Sequence, residues 1–189
     1  MKEKIKAILN SYLEIFKDEQ ERQKILITYL NNHDDKEITD WNNFDGHLVA
    51  GGFIYSTLEN KFLVLYHKDL KMYLYPGGHM TNNDSTPLEA AIREIKEETN
   101  IENLTQLTLT EDKLIPLDID THLIEYNERL NLPKHYHFDF RYLFITETIE
   151  NIIFDEEELS DYRWIDIEEL ENDVNYGKIA SKVKKILNK

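Results

Sequence analysis

The stretch that decides how this chain reads is Pro76-Gly77-Gly78-His79, a polar loop, and then Thr86-Pro87-Leu88-Glu89-Ala90-Ala91-Ile92-Arg93-Glu94-Ile95-Lys96-Glu97-Glu98-Thr99-Asn100-Ile101. At about 100° per residue, Leu88, Ala91, Ile92 and Ile95 fall on one apolar stripe, the pattern of an amphipathic helix. Thr86 suits the N-cap, Pro87 the first helical position and Glu89 the acidic place of a capping box. Asn100 suits the left-handed residue that ends a helix. The helix gathers Glu94, Glu97 and Glu98 on one side, next to the apolar stripe and toward its C-terminal end. Like charges at such spacings cost about 0.2–0.5 kcal/mol per pair, and the helix dipole disfavours anions at that end. A bound divalent cation reverses both penalties. Hard oxygen donors without cysteine suit magnesium or manganese better than zinc. A solvated acidic face is the other reading of the same residues, and the preceding segment weighs against it. Met72-Tyr73-Leu74-Tyr75 reads as a short strand, and the paired glycines after it let backbone approach a ligand closely.

These residues resemble the Nudix hydrolase signature, which runs glycine, five residues, glutamate, seven residues, then Arg-Glu-aliphatic-x-Glu-Glu-x-Gly-aliphatic. Gly78, Arg93, Glu94, Ile95, Glu97, Glu98 and Ile101 match it as they stand. Asp84 takes the place of the signature glutamate, eight residues rather than seven separate it from Arg93, and Asn100 stands in place of the glycine. The shorter Asp84 bears on any salt link to Arg93, and the extra loop residue can compensate. The resemblance covers roughly residues 46 to 172 and implies an α/β/α sandwich with a mixed sheet. It implies a magnesium- or manganese-dependent cleavage of a diphosphate linkage in a nucleoside diphosphate joined to another group. Glu94, Glu97, Glu98 and the Gly78 carbonyl would hold the metal, Arg93 would orient a glutamate, and either Glu94 or a late-loop acid would be the general base.

Composition is consistent with that expectation. The chain has 189 residues, enough for one domain with an extension. No apolar run is long enough to span a membrane, and the N-terminus lacks a signal-peptide pattern. The lack of cysteine excludes disulfides and zinc-thiolate sites and fits a cytoplasmic protein. A formal charge of −15 argues against a nucleic-acid surface; an acidic enzyme can still take an anionic substrate when metal ions stand between them.

Residues 1–40 read as a helical hairpin extension and linker, 41–172 as the main domain and 173–189 as a C-terminal helix packed on it. Ile5, Ile8, Leu9, Tyr12, Leu13 and Phe16 keep a helical period, and Ile25, Leu26, Tyr29 and Leu30 begin a second. Such stripes pack on the main domain or across a homodimer. Strands are expected at 48–55, 62–67, 72–75, 106–110, 114–119, 135–146 and 162–165, with helices at 167–172 and 176–187, a mixture that reads as an α/β sandwich. His122 and Tyr126 lie in a segment too irregular to place.

In His135-Tyr136-His137-Phe138-Asp139-Phe140-Arg141-Tyr142 polar and aromatic residues alternate, so His135, His137, Asp139 and Arg141 share one face of a strand. That face is either a solvent-facing row of ion pairs or a polar cleft wall meeting substrate phosphates. Histidine-rich strands of this kind resemble those of a bacterial Nudix subgroup with Pro-Gly-Gly-His at the signature's start, which would put His79 at the cleft mouth. Lys68 and Lys71 could add positive potential, the Asp155-Glu156-Glu157-Glu158 run is either a solvated loop or a source of one more acid, and Trp164 reads as core. The competing reading for the whole chain is a Nudix-fold domain that senses a nucleotide without cleaving it, and a generic acidic interaction module ranks last.

Overall fold

A computed structural model of the chain describes residues 1–126, 128, 131–147, 152–154 and 156–187. Two helices come first, α1 (Lys2–Ile15) and α2 (Lys24–Asn32). Four strands follow: β1 (Gly46–Ser56), β2 (Lys61–His67), β3 (Met72–Leu74) and β4 (Gly77–His79). After the glutamate helix α3 (Pro87–Thr99) come β5 (Thr105–Leu107), β6 (Asp118–Ile124), β7 (His135–Thr146) and β8 (Leu159–Ile165), then α4 (Ile167–Asn172) and α5 (Gly177–Leu187).

The strands form one mixed sheet. β1 and β7 run parallel in an unbroken register from Gly46 opposite Tyr136 to Ser56 opposite Thr146. All other pairings are antiparallel. The outer edge of β1 is shared between β4, at Val49–Gly51, and β2, at Tyr55–Ser56. The outer edge of β7 is shared between β6 and β5. β1 is buried almost throughout, as a strand covered on both faces must be. On one face Ala50, Ile54, Phe138, Phe140 and Phe144 pack with Ala91 and Ile95 of α3 and with Ile5, Leu9, Leu26 and Leu30 of α1 and α2. The other face packs Phe53, Val64 and Leu143 under Tyr176, Ile179 and Val183 at the C-terminal helices. This is the expected α/β/α sandwich carrying an N-terminal helical extension.

Three local expectations change. The buried face of α3 is Pro87, Ala90, Ala91, Ile95 and Thr99, while Ile92 is 43% exposed; the small alanines, rather than the branched side chain, lie against the sheet. The paired glycines expected only to follow a strand form one themselves, since β4 pairs with β1. The strand expected from Leu114 begins instead at Asp118 and carries His122 within it. Its acidic residues hide the strand period in sequence because their charges are matched inside the fold. Arg22, in the turn before α2, reaches Asp118 at 2.7 Å and Asp120 at 2.9 Å. Lys182 of α5 reaches the same Asp118 at 2.8 Å and Glu19 at 2.6 Å. The Gln23 side-chain amide donates to the Ile119 carbonyl at 2.7 Å, covering the open edge of β6. The extension is therefore tied to its own chain by apolar packing and by a buried ionic network.

Candidate active site

The start of α3 is fixed by Thr86, whose hydroxyl accepts the Glu89 amide. Glu89 closes the other half one residue early, accepting from the Ser85 amide at 2.9 Å rather than from Thr86. The helix ends at Asn100 with φ 55° and ψ 19°, the left-handed conformation asparagine tolerates. Between these ends Arg93 is the hub. Its Nε donates to Asp84 Oδ1 at 3.0 Å and one terminal nitrogen to Oδ2 at 2.9 Å, a two-point grip that the extra loop residue lets the shorter aspartate make. The same nitrogen donates to the His79 carbonyl at 2.9 Å, and the other to Glu94 at 2.8 Å and Glu97 at 3.0 Å. Asp84 is buried, and the Arg93 guanidinium together with the Thr81 amide and hydroxyl outweighs that burial, holding its carboxyl below the usual range.

Glu94 lies against Gly78 so closely that a Cβ there would stand 2.7 Å from its carboxyl carbon. Burial pushes the Glu94 carboxyl up, Arg93 pulls it down, and burial prevails. Glu98 accepts the Gly77 amide at 2.8 Å. The glutamates thus offer oxygen donors along one side of α3, with Glu94 and Glu97 turned onto one guanidinium. This donor set, hard and partly desolvated beside bare glycine backbone, fits a magnesium-type divalent ion.

Strand periodicity then separates two groups that spacing along the chain predicts as one cleft. Gly78 lies opposite Ala50, on the α3 face, whereas His79 lies opposite Val49, on the other face. His47 stands beside His137 on β7, which stands beside His122 on β6. Val49, Asp139 and Asp120 make the next row, and Gly51, Arg141 and Asp118 the one after. The polar face of β7 is therefore on the opposite side of the sheet from α3, with β4 between the glutamates and the histidines.

That face is mostly buried. Arg141, 5% exposed, reaches Asp139 at 2.9 Å, Asp120 at 2.8 Å and Asp118 at 3.5 Å. Tyr75 donates to Asp139 and accepts from Arg141. Arg141 and Asp139 thus engage each other and their neighbours. His135 is also buried, His137 half-buried and His79 accessible. His47 is pushed down to about 3, first by burial and then by the neighbouring imidazoles; the same causes lower His137, and burial followed by His135 lowers His79. His79 also borders an open pocket of about 500 Å³ lined by Lys36, Thr39, Asp40, Trp41, Met80, Thr81 and Asn82.

Sequence reasoning missed His47, Asp118, Asp120 and Trp41, and left His122 in a segment it did not place. The pairings of β7 with β1 and with β6, which no local pattern reveals, bring His47, His122, Asp118 and Asp120 onto one face. Lys68 donates to the Glu156 carbonyl. Asp155 lies outside the described residues, while Glu156–Glu158 form the turn before β8. Trp164 is partly buried against the core, as expected.

A family model described as the NUDIX domain matches residues 45–187. The chain belongs to the Nudix family. A relative from Lactococcus lactis subsp. cremoris (strain MG1363), named a probable DHNTP pyrophosphohydrolase, is 32% identical over 143 residues, spanning 76% of this chain and 80% of that protein. Among solved structures, a NUDIX-family hydrolase from Clostridium perfringens is 28% identical with a TM-score of 0.54, covering 75% of this chain and 96% of its own. The C. elegans Ap4A hydrolase shares the Nudix fold at a TM-score of 0.55 and 23% identity, over 75% of this chain and 97% of that one. The present chain is accordingly an enzyme of the Nudix hydrolase type, a family that generally uses divalent metals.

Proposed function

We propose that this Nudix enzyme cleaves a diphosphate linkage in a nucleoside diphosphate joined to another group, with magnesium or manganese held by Glu94, Glu97, Glu98 and the Gly78 carbonyl. The observation that carries this reading is the desolvated Glu94 carboxylate seated against Gly78 and steered by Arg93, itself anchored on Asp84. When bound, the ion supplies positive charge to the phosphoryl oxygens and makes water more acidic. Glu94 takes the proton from the attacking water, and its raised pKa brings its proton affinity nearer neutrality. Arg93 keeps Glu94 and Glu97 aimed, much as outer groups orient metal ligands elsewhere.

Of the residues expected on one cleft wall, His79 borders the open pocket, while His135, His137, Asp139 and Arg141 lie on the sheet face away from α3, and we assign those four no contact with the phosphate chain. The pocket beside His79, with the half-exposed Trp41 ring and Lys36, suits the group beyond the phosphates. Within the family we place the chain in the subgroup with the Pro-Gly-Gly-His start. No helix among the described residues is long and apolar enough to cross a membrane, and we place the enzyme in the cytoplasm, acting on a small molecule rather than on nucleic acid. Residues 1–40 serve as an extension on the catalytic unit, and α5 in the C-terminal segment as its covering helix.

The name of the L. lactis relative favours a second substrate reading, a pterin triphosphate such as dihydroneopterin triphosphate, which offers the same diphosphate linkage and a flat ring for the pocket. The test is product release from nucleoside triphosphates, ADP-sugars, dinucleoside polyphosphates and dihydroneopterin triphosphate with magnesium or manganese. The proposal expects turnover of at least one by wild type and none by Glu98→Gln. Wild type as inactive as Glu98→Gln on all of them, with a nucleotide still bound, would instead mark a sensor.

A further inference from the structure

On the sheet face away from α3, four imidazoles from three strands meet: His47 on β1, His79 on β4, and His135 and His137 on β7. One ring nitrogen of each of His47, His79 and His137 lies within 4.8 Å of the others. His137 Nε2 is 3.0 Å from His47 Nε2 and 3.2 Å from His135 Nε2. Zinc holds imidazole nitrogens at about 2.0–2.1 Å, so two ligands of a tetrahedral ion stand about 3.3 Å apart. The His47–His137 separation is close to that edge, and the His79 nitrogen stands within 4.8 Å of both.

Proton placement points the same way. His135 Nδ1 is 2.7 Å from the Pro133 carbonyl, which can only accept, so Nδ1 carries the proton and Nε2 turns a bare lone pair toward His137. That donation fixes the His135 tautomer and holds its ring against His137. His122, beside His137, faces Asp120 through Nδ1 at 3.2 Å, and its ring centroid stands 5.6 Å from that of His137. It flanks the group without joining it. The donors are nitrogen without a carboxylate among them, the preference of zinc-class transition metals and not of magnesium.

We propose that His47, His79 and His137, with His135 beside His137 as a supporting imidazole, form a binding site for a borderline divalent cation of the zinc class, separate from the glutamate site on α3. The site draws β4 against β1 and β7. Because β4 carries Gly78 on its opposite face, an ion there also sets where that backbone stands against Glu94. The proposal does not depend on the hydrolase reading.

The test uses tag-free full-length protein, stripped with a chelator and titrated with Co²⁺ and then Zn²⁺. One equivalent of Co²⁺ should give the visible absorption of a tetrahedral nitrogen site, and Zn²⁺ should bleach it. Glu94→Gln and Glu98→Gln should leave these bands unchanged. His137→Gln and His47→Gln should abolish them, and His135→Gln should weaken Co²⁺ binding by about 10- to 100-fold, the scale of losing a supporting group. Absence of bands in folded wild type overturns the proposal, as does their loss in Glu98→Gln with retention in His137→Gln. Should the histidine variants not fold, X-ray absorption on zinc-loaded wild type decides: imidazole nitrogens in the first shell support the site, and an all-oxygen shell overturns it.

Discussion

At the scale of single residues, Gly78 and Glu94 make one unit. A methyl at Gly78 meets the far end of a flexible side chain, so Gly78→Ala should leave the fold intact and push the Glu94 carboxylate aside. Displacements of about 1 Å at a reacting centre can cost roughly 100-fold, and we expect kcat to fall by about that factor with an unchanged circular dichroism spectrum. Glu94→Gln removes the proton acceptor, for which about 10²- to 10⁴-fold is the usual loss. Its effect on stability has the opposite sign. A carboxyl whose folded pKa is raised binds its proton more tightly when folded, so stability falls as pH rises from the unfolded to the folded pKa. In chelator near neutral pH, Glu94→Gln should therefore melt no lower than wild type, and a clearly lower midpoint would mean that the Arg93 pair outweighs the burial. Asp84 teaches a related lesson: its one missing methylene is made up by one added loop residue, and the two-point grip on Arg93 is kept.

At the scale of elements, the N-terminal helices are held by more than their apolar stripes. Asp118 is 1% exposed and faces Arg22, Arg141 and Lys182. Removing one member of a buried charge set typically costs about 3–5 kcal/mol, because the remainder stays buried and unpaired. Asp118→Asn should lower stability on that scale in denaturant titrations, whereas a loss under about 1 kcal/mol would show the network to be well hydrated. Hydrogen bonds and guanidinium charges overcome burial and hold both Asp118 and Asp120 below the ordinary carboxylate range. The stability they contribute is complete above an unfolded pKa of about 3.9 and is lost as pH falls through the lower folded values. The wild-type thermal midpoint should thus drop steeply below about pH 4, and more gently in Asp118→Asn.

At the scale of the whole molecule, the chain states its fold in two kinds of pattern. The glutamate helix, its caps and the twelve-residue β7 are local, and spacing alone places them, β7 to the residue. The histidine face is not local. His47 meets His137 only because β1 and β7 run parallel in one register, and His122 comes to flank them only because β6 pairs with β7, its aspartates matched by partners far along the chain. For the same reason, one cleft expected from sequence becomes two faces divided by β4, since alternation on a strand says which residues share a side but not what lies across from it. The account's central claim is that the α3 glutamates serve phosphate-anhydride hydrolysis, and ³¹P NMR of the full substrate panel with Mg²⁺ tests it most directly. Wild type should convert at least one substrate's anhydride resonances into phosphomonoester and phosphate or pyrophosphate signals, with Glu98→Gln leaving the same spectrum unchanged; equal turnover by folded Glu98→Gln would contradict it.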